Sequence, residues 1–193
     1  MKLTKSFLSN IQKSLMAIEK WIEHEAVCDI HNSNAGTPRH SRVFIYGGFG
    51  GRFDQEMAVI NALCVWGKKD TFRQTTLAVY DEQTCSFLLS ASPTTNHIRV
   101  RYPGNILDEP NQSVRVGEGP TCGLIPILGR CEKVFTTGLQ WNLNGDAPIE
   151  FGGLVSSSNR VIDDVVVVET SSPMLFTAEM IVSGVGCAND GMN

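Results

Sequence analysis

A chain that runs from an apolar tetrapeptide straight into four glycines in five residues, and then into a helical repeat, has few folds open to it. Val43-Phe44-Ile45-Tyr46 reads as a short buried strand and Gly47-Gly48-Phe49-Gly50-Gly51 as a tight loop. Phe53, Met57, Ile60, Asn61 and Cys64 then recur at helical spacing up to Trp66. Strand, glycine loop, helix is an α/β unit. Ahead of it, Phe7, Ile11, Leu15, Ile18 and Ile22 keep the spacing of an amphipathic helix over residues 5–25. Residues 31–41, with Gly36 and Pro38, read as a loop.

Beyond Thr76 the texture changes. Short β-branched segments alternate with Pro, Gly and Asn: 76–80, 85–89, 97–102, 113–116, 122–127, 134–137, 139–143, 165–170 and 175–182. Regular short strands of this kind predict a β-sandwich of jelly-roll type. The fold class is therefore α/β followed by all-β, with an α/β domain at residues 1–72 and a β-sandwich domain at 73–182. Residues 183–193 are expected to be a disordered tail.

Composition excludes several functions. The chain is 42% hydrophobic with 18 glycines, ample for a core and incompatible with intrinsic disorder. Its 16 basic and 20 acidic residues leave a net charge of −4 with no basic block, which argues against a nucleic-acid or membrane-surface partner. No apolar run reaches the roughly 20 residues of a membrane span. The six cysteines form no C-x-x-C pair and read as buried free thiols of a reducing compartment. His24, Cys28, His31 and His40 match no zinc spacing. The lysine-bearing first residues lack arginine and a cleavage site, so the expected location is cytoplasmic.

Two places are suited to chemistry. The glycine loop brings backbone N–H groups and a helix N-terminus together, which favours a phosphate or carboxylate. Arg52 is placed to clamp phosphate oxygens, and Asp54 to hold Mg²⁺ or a substrate hydroxyl. The alternative is a tight turn with a capping Asp54. Neither the dinucleotide fingerprint nor a Walker lysine is present. The second place is Thr136 to Leu143 followed by Phe151 to Asn159, where Trp141 is suited to stacking on a flat or cationic ring. Its alternative is Trp141 as sandwich core, with turn chemistry at Ser156 to Asn159. No hydrolytic nucleophile elbow occurs.

These segments together resemble one family. Gly47-Gly48-Phe49-Gly50-Gly51-Arg52-Phe53-Asp54-Gln55 is similar to the G-G-x-G-G-R-x-D-[HQ] signature of thiamine pyrophosphokinases. Cys122-Gly123-Leu124-Ile125-Pro126, Thr136-Thr137-Gly138-Leu139-Gln140-Trp141-Asn142-Leu143, Phe151-Gly152-Gly153-Leu154-Val155-Ser156-Ser157-Ser158-Asn159 and Ser172-Pro173-Met174-Leu175-Phe176-Thr177 follow in the family's order. The resemblance implies a partial Rossmann-like nucleotide-binding domain and a jelly-roll-like thiamine-binding domain, working as a homodimer with sites at the subunit interface. It implies transfer of the ATP diphosphate to the thiamine hydroxyl, with Mg²⁺, giving thiamine diphosphate and AMP. By resemblance, Gly48, Gly50, Gly51 and Arg52 face the nucleotide, with Arg52, Asp54 and Gln55 as catalytic residues and Asp54 as Mg²⁺ ligand. Trp141, Ser156, Ser158 and Asn159 would hold thiamine. The family's Asp-rich runs ahead of the glycine loop have no counterpart in the 46 residues before Gly47, where Asn10 stands at a position expected to be Asp. The chain thus resembles an N-terminally truncated member, with slow or no turnover expected, and the second reading is a non-catalytic module that holds thiamine or its diphosphate.

Overall fold

The computed structural model describes residues 10–31, 41–69, 75–100 and 114–184. The chain divides into two compact units between Val79 and Tyr80. In the first, helix α1 (Asn10–His31) is followed by strand β1 (Ser41–Tyr46), helix α2 (Phe53–Trp66) and strand β2 (Thr75–Tyr80), which borders β1. Leu15 is the fully buried residue of the α1 stripe, while Ile11, Ile18 and Ile22 are half-buried and Phe7 lies outside the described residues. α1 extends six residues past the expected end at Glu25. Ala62, Leu63, Cys64 and Trp66 bury the last turns of α2. The Lys69 ammonium joins the two helices: it donates to both Glu19 carboxylate oxygens at 2.7 Å and lies 4.9 Å from the centre of the Trp66 ring.

β1 departs from the expected buried strand. Phe44 and Tyr46 are exposed while Val43 and Ile45 are half-buried, the alternation of a strand with one covered face.

The second unit carries β3 (Thr84–Leu89), β4 (Asn96–Arg99), β5 (Val114–Ile125), β6 (Val134–Thr137), β7 (Ser156–Arg160), β8 (Val165–Thr170) and β9 (Met174–Gly184). The Asp81 carboxylate accepts the Gln83 and Thr84 N–H groups, both at 2.7 Å, and so turns the chain into β3. Strands β3, β9, β5 and β7 lie side by side in that order, and β4, β8 and β6 form a smaller sheet. β9 pairs antiparallel with β3 on one side, Phe87 opposite Phe176, and with β5 on the other. The two sheets share one core: Leu124, Met174 and Phe176 from one, Val134, Val166 and Val168 from the other, all at most 1% exposed. Two helices followed by a sheet-dominated unit is the order the sequence leads one to expect.

Four local expectations are corrected. Segments 113–116 and 122–127 belong to one strand, β5, because the Gly119-Pro120 interruption is taken up as a bulge: its register against β9 shifts between Glu118 and Cys122. Residues 139–143 are not a strand but a turn, since Asn142 offers its side-chain oxygen to the Leu139 N–H at 3.1 Å. Ser156 to Asn159, expected as a polar loop, pair with β5 as β7. Ser183 and Gly184 close β9, leaving the rest of the expected tail outside the described residues. Of the histidine–cysteine grouping, His40 also lies outside them, and no side-chain placement is described for Cys28 or His31.

Cys64, Cys85, Cys122 and Cys131 are free and buried, as expected. Burial pushes the Cys85 and Cys122 thiols up to about 11 and raises Cys64 as well. At Cys131 burial also pushes upward, but hydrogen bonds from Ser171, Thr170 and the Ser172 backbone more than offset it and the net direction is down. Cys131 is nevertheless 0% exposed, so access limits its reactivity. A thiol whose folded pKa is raised contributes stability that is complete below its unfolded value and is lost as pH climbs through the folded one. Unfolding free energy is therefore expected to fall between about pH 9 and 11. Cys85 and Cys122 should stay unlabelled by iodoacetamide at pH 8 until urea unfolds the chain, and labelling at the native rate of an exposed thiol would contradict their burial.

Candidate functional site

The glycine loop owes its shape to backbone requirements. Gly47 and Gly50 sit at φ +79° and +80°, where a side chain is strained, and a Cβ on Gly48 would run into the Val79 side chain and within 3.1 Å of Val59. Gly48 thus serves close packing of the loop on its own unit. Arg52 is the N-cap of α2 in extended conformation without a side-chain cap, its carbonyl accepting the Gln55 and Glu56 N–H groups at 2.9 and 3.1 Å. Asp54 is therefore inside the first turn, not its cap. The Arg52 guanidinium grips Asp54 through two bonds, Nε to Oδ1 at 3.0 Å and Nη2 to Oδ2 at 2.7 Å, with both side chains largely in solvent. Gln55 is exposed.

A residue that sequence reasoning passed over completes this loop. Glu56 Oε1 accepts the N–H groups of Gly50 (3.0 Å) and Gly51 (3.1 Å). An oxyanion from the chain itself rests where a nest of amides and a helix N-terminus favour negative charge. An acid in the first turns after a glycine loop was the available signal.

The second place is built between β6 and β7. Gly138 has φ +83°, and a Cβ there would lie 2.5 Å from the Val165 carbonyl oxygen. The turn it opens is tied down by Asn142, whose Oδ1 accepts from the Leu139 N–H and from Thr136 Oγ1 at 3.2 Å. Thr136 Oγ1 in turn accepts the Leu143 N–H at 2.8 Å. Trp141 follows with its indole 59% exposed, so it is not core. From beneath, the buried Asn159 side chain donates to the Trp141 carbonyl at 2.8 Å and accepts the Trp141 N–H at 3.2 Å. Ser156 is buried and accepts from Asn159 Nδ2 at 3.3 Å, while Ser158 is exposed at φ +56°. The structure brings Trp141, Ser156 and Asn159 together on one framework, with Ser158 on the same strand. Among the described residues no group of three or more His, Cys, Asp or Glu side chains is placed to hold a metal ion.

Comparison with known proteins covers the residues around the second place and most of the chain. Residues 106–175, which include Trp141 and Asn159, match the family model of the thiamin pyrophosphokinase vitamin B1 binding domain. Over 162 residues the chain is 35% identical to thiamine pyrophosphokinase 3 of Oryza sativa subsp. japonica, covering 81% of this chain and 52% of that protein. The similarity to thiamine pyrophosphokinases extends over most of this chain. Its fold is similar to that of thiamin pyrophosphokinase from Candida albicans, with a TM-score of 0.59, 24% identity, and 82% of this chain and 52% of that one covered. Yeast thiamin pyrophosphokinase gives a TM-score of 0.56 at 26% identity over 72% of this chain and 39% of that one. The chain spans about half the length of the curated family members it matches.

The frame and the displayed residue respond differently to substitution. Trp141→Ala should leave unfolding free energy within about 0.5 kcal/mol of the parent, because the indole is exposed. Gly138→Ala should cost about 2 kcal/mol or more, from its positive φ and the approach of Val165. Urea denaturation of the two variants measures both, and equal costs would contradict this division of labour.

Proposed function

We propose that the protein transfers the diphosphate of ATP to the hydroxyl of thiamine, releasing AMP and thiamine diphosphate. The observation that carries this reading is the exposed Trp141 indole on a hydrogen-bonded frame within residues matching a vitamin B1 binding domain. A cationic thiazolium near an indole face gains about 0.5–2 kcal/mol. Trp141, Ser156 and Ser158, with Asn159 beneath Trp141, are the thiamine-binding residues of a jelly-roll-like domain at residues 73–182. The glycine loop of a Rossmann-like domain at residues 1–72 is the nucleotide-binding element. There the Gly50 and Gly51 amides and Arg52 meet phosphate oxygens, with Asp54 and Gln55 beside the transferred group. The thiamine oxygen bonds to the β-phosphorus, the bond from that phosphorus to the bridging oxygen breaks, AMP keeps that oxygen, and the hydroxyl proton leaves to solvent. What this chain supplies is position and charge. The proposed assembly is a homodimer, and the proposed location cytoplasmic; among the described residues no helix is long and apolar enough to cross a membrane.

Mg²⁺ is the metal such a transfer calls for, and the described residues do not fit it alone. Both Asp54 oxygens are held by Arg52, one Glu56 oxygen is held by the loop, and no third carboxylate stands with them. The relatives' names support transfer, and the second reading, in which the chain holds thiamine without transferring to it, is separated from it by experiment.

Incubating the purified chain with ATP, Mg²⁺ and thiamine distinguishes the two. AMP and thiamine diphosphate should appear in equal amounts, at below about 1 s⁻¹ with these carboxylates. Thiamine bound without product supports the second reading, and no thiamine binding at all overturns both. Arg52→Ala should raise the KM for ATP severalfold while changing stability by no more than about 1 kcal/mol, the limit for an exposed ion pair.

A further inference from the structure

We propose that Asn159 is a positioning residue for Trp141 and makes no contact with the ligand, an inference that rests on the reading of Trp141 as the ring-stacking side chain. A carboxamide has two N–H donors and one oxygen with two acceptor sites. All four are used here. Nδ2 donates to the Trp141 carbonyl at 2.8 Å and to Ser156 Oγ at 3.3 Å. Oδ1 accepts from the Trp141 N–H at 3.2 Å and from the Arg160 N–H at 2.8 Å. The side chain is 4% exposed, so a ligand atom would have to displace a buried bond to reach it.

The same bonds describe a clamp. One side chain holds both backbone groups of Trp141, and the neighbouring Gln140 N–H is held by the Arg160 carbonyl at 2.8 Å. An indole that is 59% exposed gains little fixity from packing, so its backbone must supply the order that a stacking platform needs. Asn159 sits on β7, paired with Cys122 of β5, and transmits the rigidity of the larger sheet to the displayed ring. A flat cationic ring is the ligand class that benefits.

The test is a double-mutant cycle on the full chain, titrated with thiamine: parent, Asn159→Asp, Trp141→Ala and the pair. Asn159→Asp keeps the size and the two accepted bonds, loses both donated bonds, and adds negative charge. A direct contact with a cation would be strengthened by that charge. A clamp is weakened, and affinity is expected to fall on the order of fivefold, part of the stacking contribution. In the Trp141→Ala background the same substitution should change affinity by less than about twofold. Tighter binding by Asn159→Asp, or equal losses in both backgrounds, overturns the proposal while leaving the stacking role of Trp141 intact. Unchanged affinity in Trp141→Ala alone overturns the stacking role itself. Asn159→Ser, shorter and uncharged, runs through the same cycle so that the result stands if the first variant does not fold. Without ligand, the 5-fluorotryptophan resonance of Trp141 should sharpen in either Asn159 variant as the ring gains motion, and an unchanged linewidth counts against the clamp.

Discussion

Two sheets whose inner faces are Val, Leu, Met and Phe have no stable existence apart, because neither face survives in water. In the second unit Val166 and Val168 of β8 close against Leu124 of β5 and Phe176 of β9, and burying each such side chain contributes about 1.5–3 kcal/mol. The rest follows from that closure. β6 is an end strand of the smaller sheet and β7 an end strand of the larger, so the chain from Gly138 to Val155 must cross from one sheet to the other. It crosses with Leu139 and Ile149 buried to 1% exposure, which pins it at two points. Cys131 and Ile149 exchange backbone hydrogen bonds at 2.9 Å, fastening the second of these. Trp141 lies two residues beyond the first, on a stretch whose path the core has already decided.

The strands that sequence made legible are those in which one face is apolar and the ends are punctuated. β8 shows this, and its alternation, with Val166 and Val168 inside, marks its register as well. β7 was illegible because Ser156-Ser157-Ser158-Asn159-Arg160 has no apolar face. Its inward residues are Ser156 and Asn159, polar groups that bury only because they bond to each other and to the Trp141 backbone. β5 was cut in two by Gly119 and Pro120, the residues that end strands by default and interrupt them only at bulges. In both cases the deciding information is a partner far away in sequence. Local pattern does not carry it.

The site residues divide in the same way. Glycine spacing and the presence of Trp141 were visible as motifs, since both depend on residue type alone, while the exposure of Trp141 was not. Whether Arg52 and Asp54 point outward or toward each other, and whether Glu56 reaches back to the loop, depends on the turn that α2 makes at Arg52. Asn159 carried the opposite difficulty: its type suggested a ligand contact, whereas all four of its hydrogen bonds run within the chain, to Trp141, Ser156 and Arg160.

The two places differ in how much reorganisation a ligand would demand. Beneath Trp141 the buried Asn159 and Ser156 side chains are bonded to each other and to the backbone, so binding there leaves the framework alone and adds to a surface already ordered. At the glycine loop the amides of Gly50 and Gly51 are satisfied by an acid near the surface, and Arg52 is satisfied by Asp54. A phosphate arriving there exchanges one oxyanion for another, which keeps the N–H groups paired throughout and releases a carboxylate to water. Exposed pairs of this kind are worth only about 0.2–1 kcal/mol, so the exchange is cheap for a dianionic or more highly charged ligand. It is unfavourable for a neutral one, which would leave both amides without a charged acceptor. Under the proposed function, a ligand of the first unit would be selected by charge at a surface that rearranges, and one of the second by ring shape on a surface that does not.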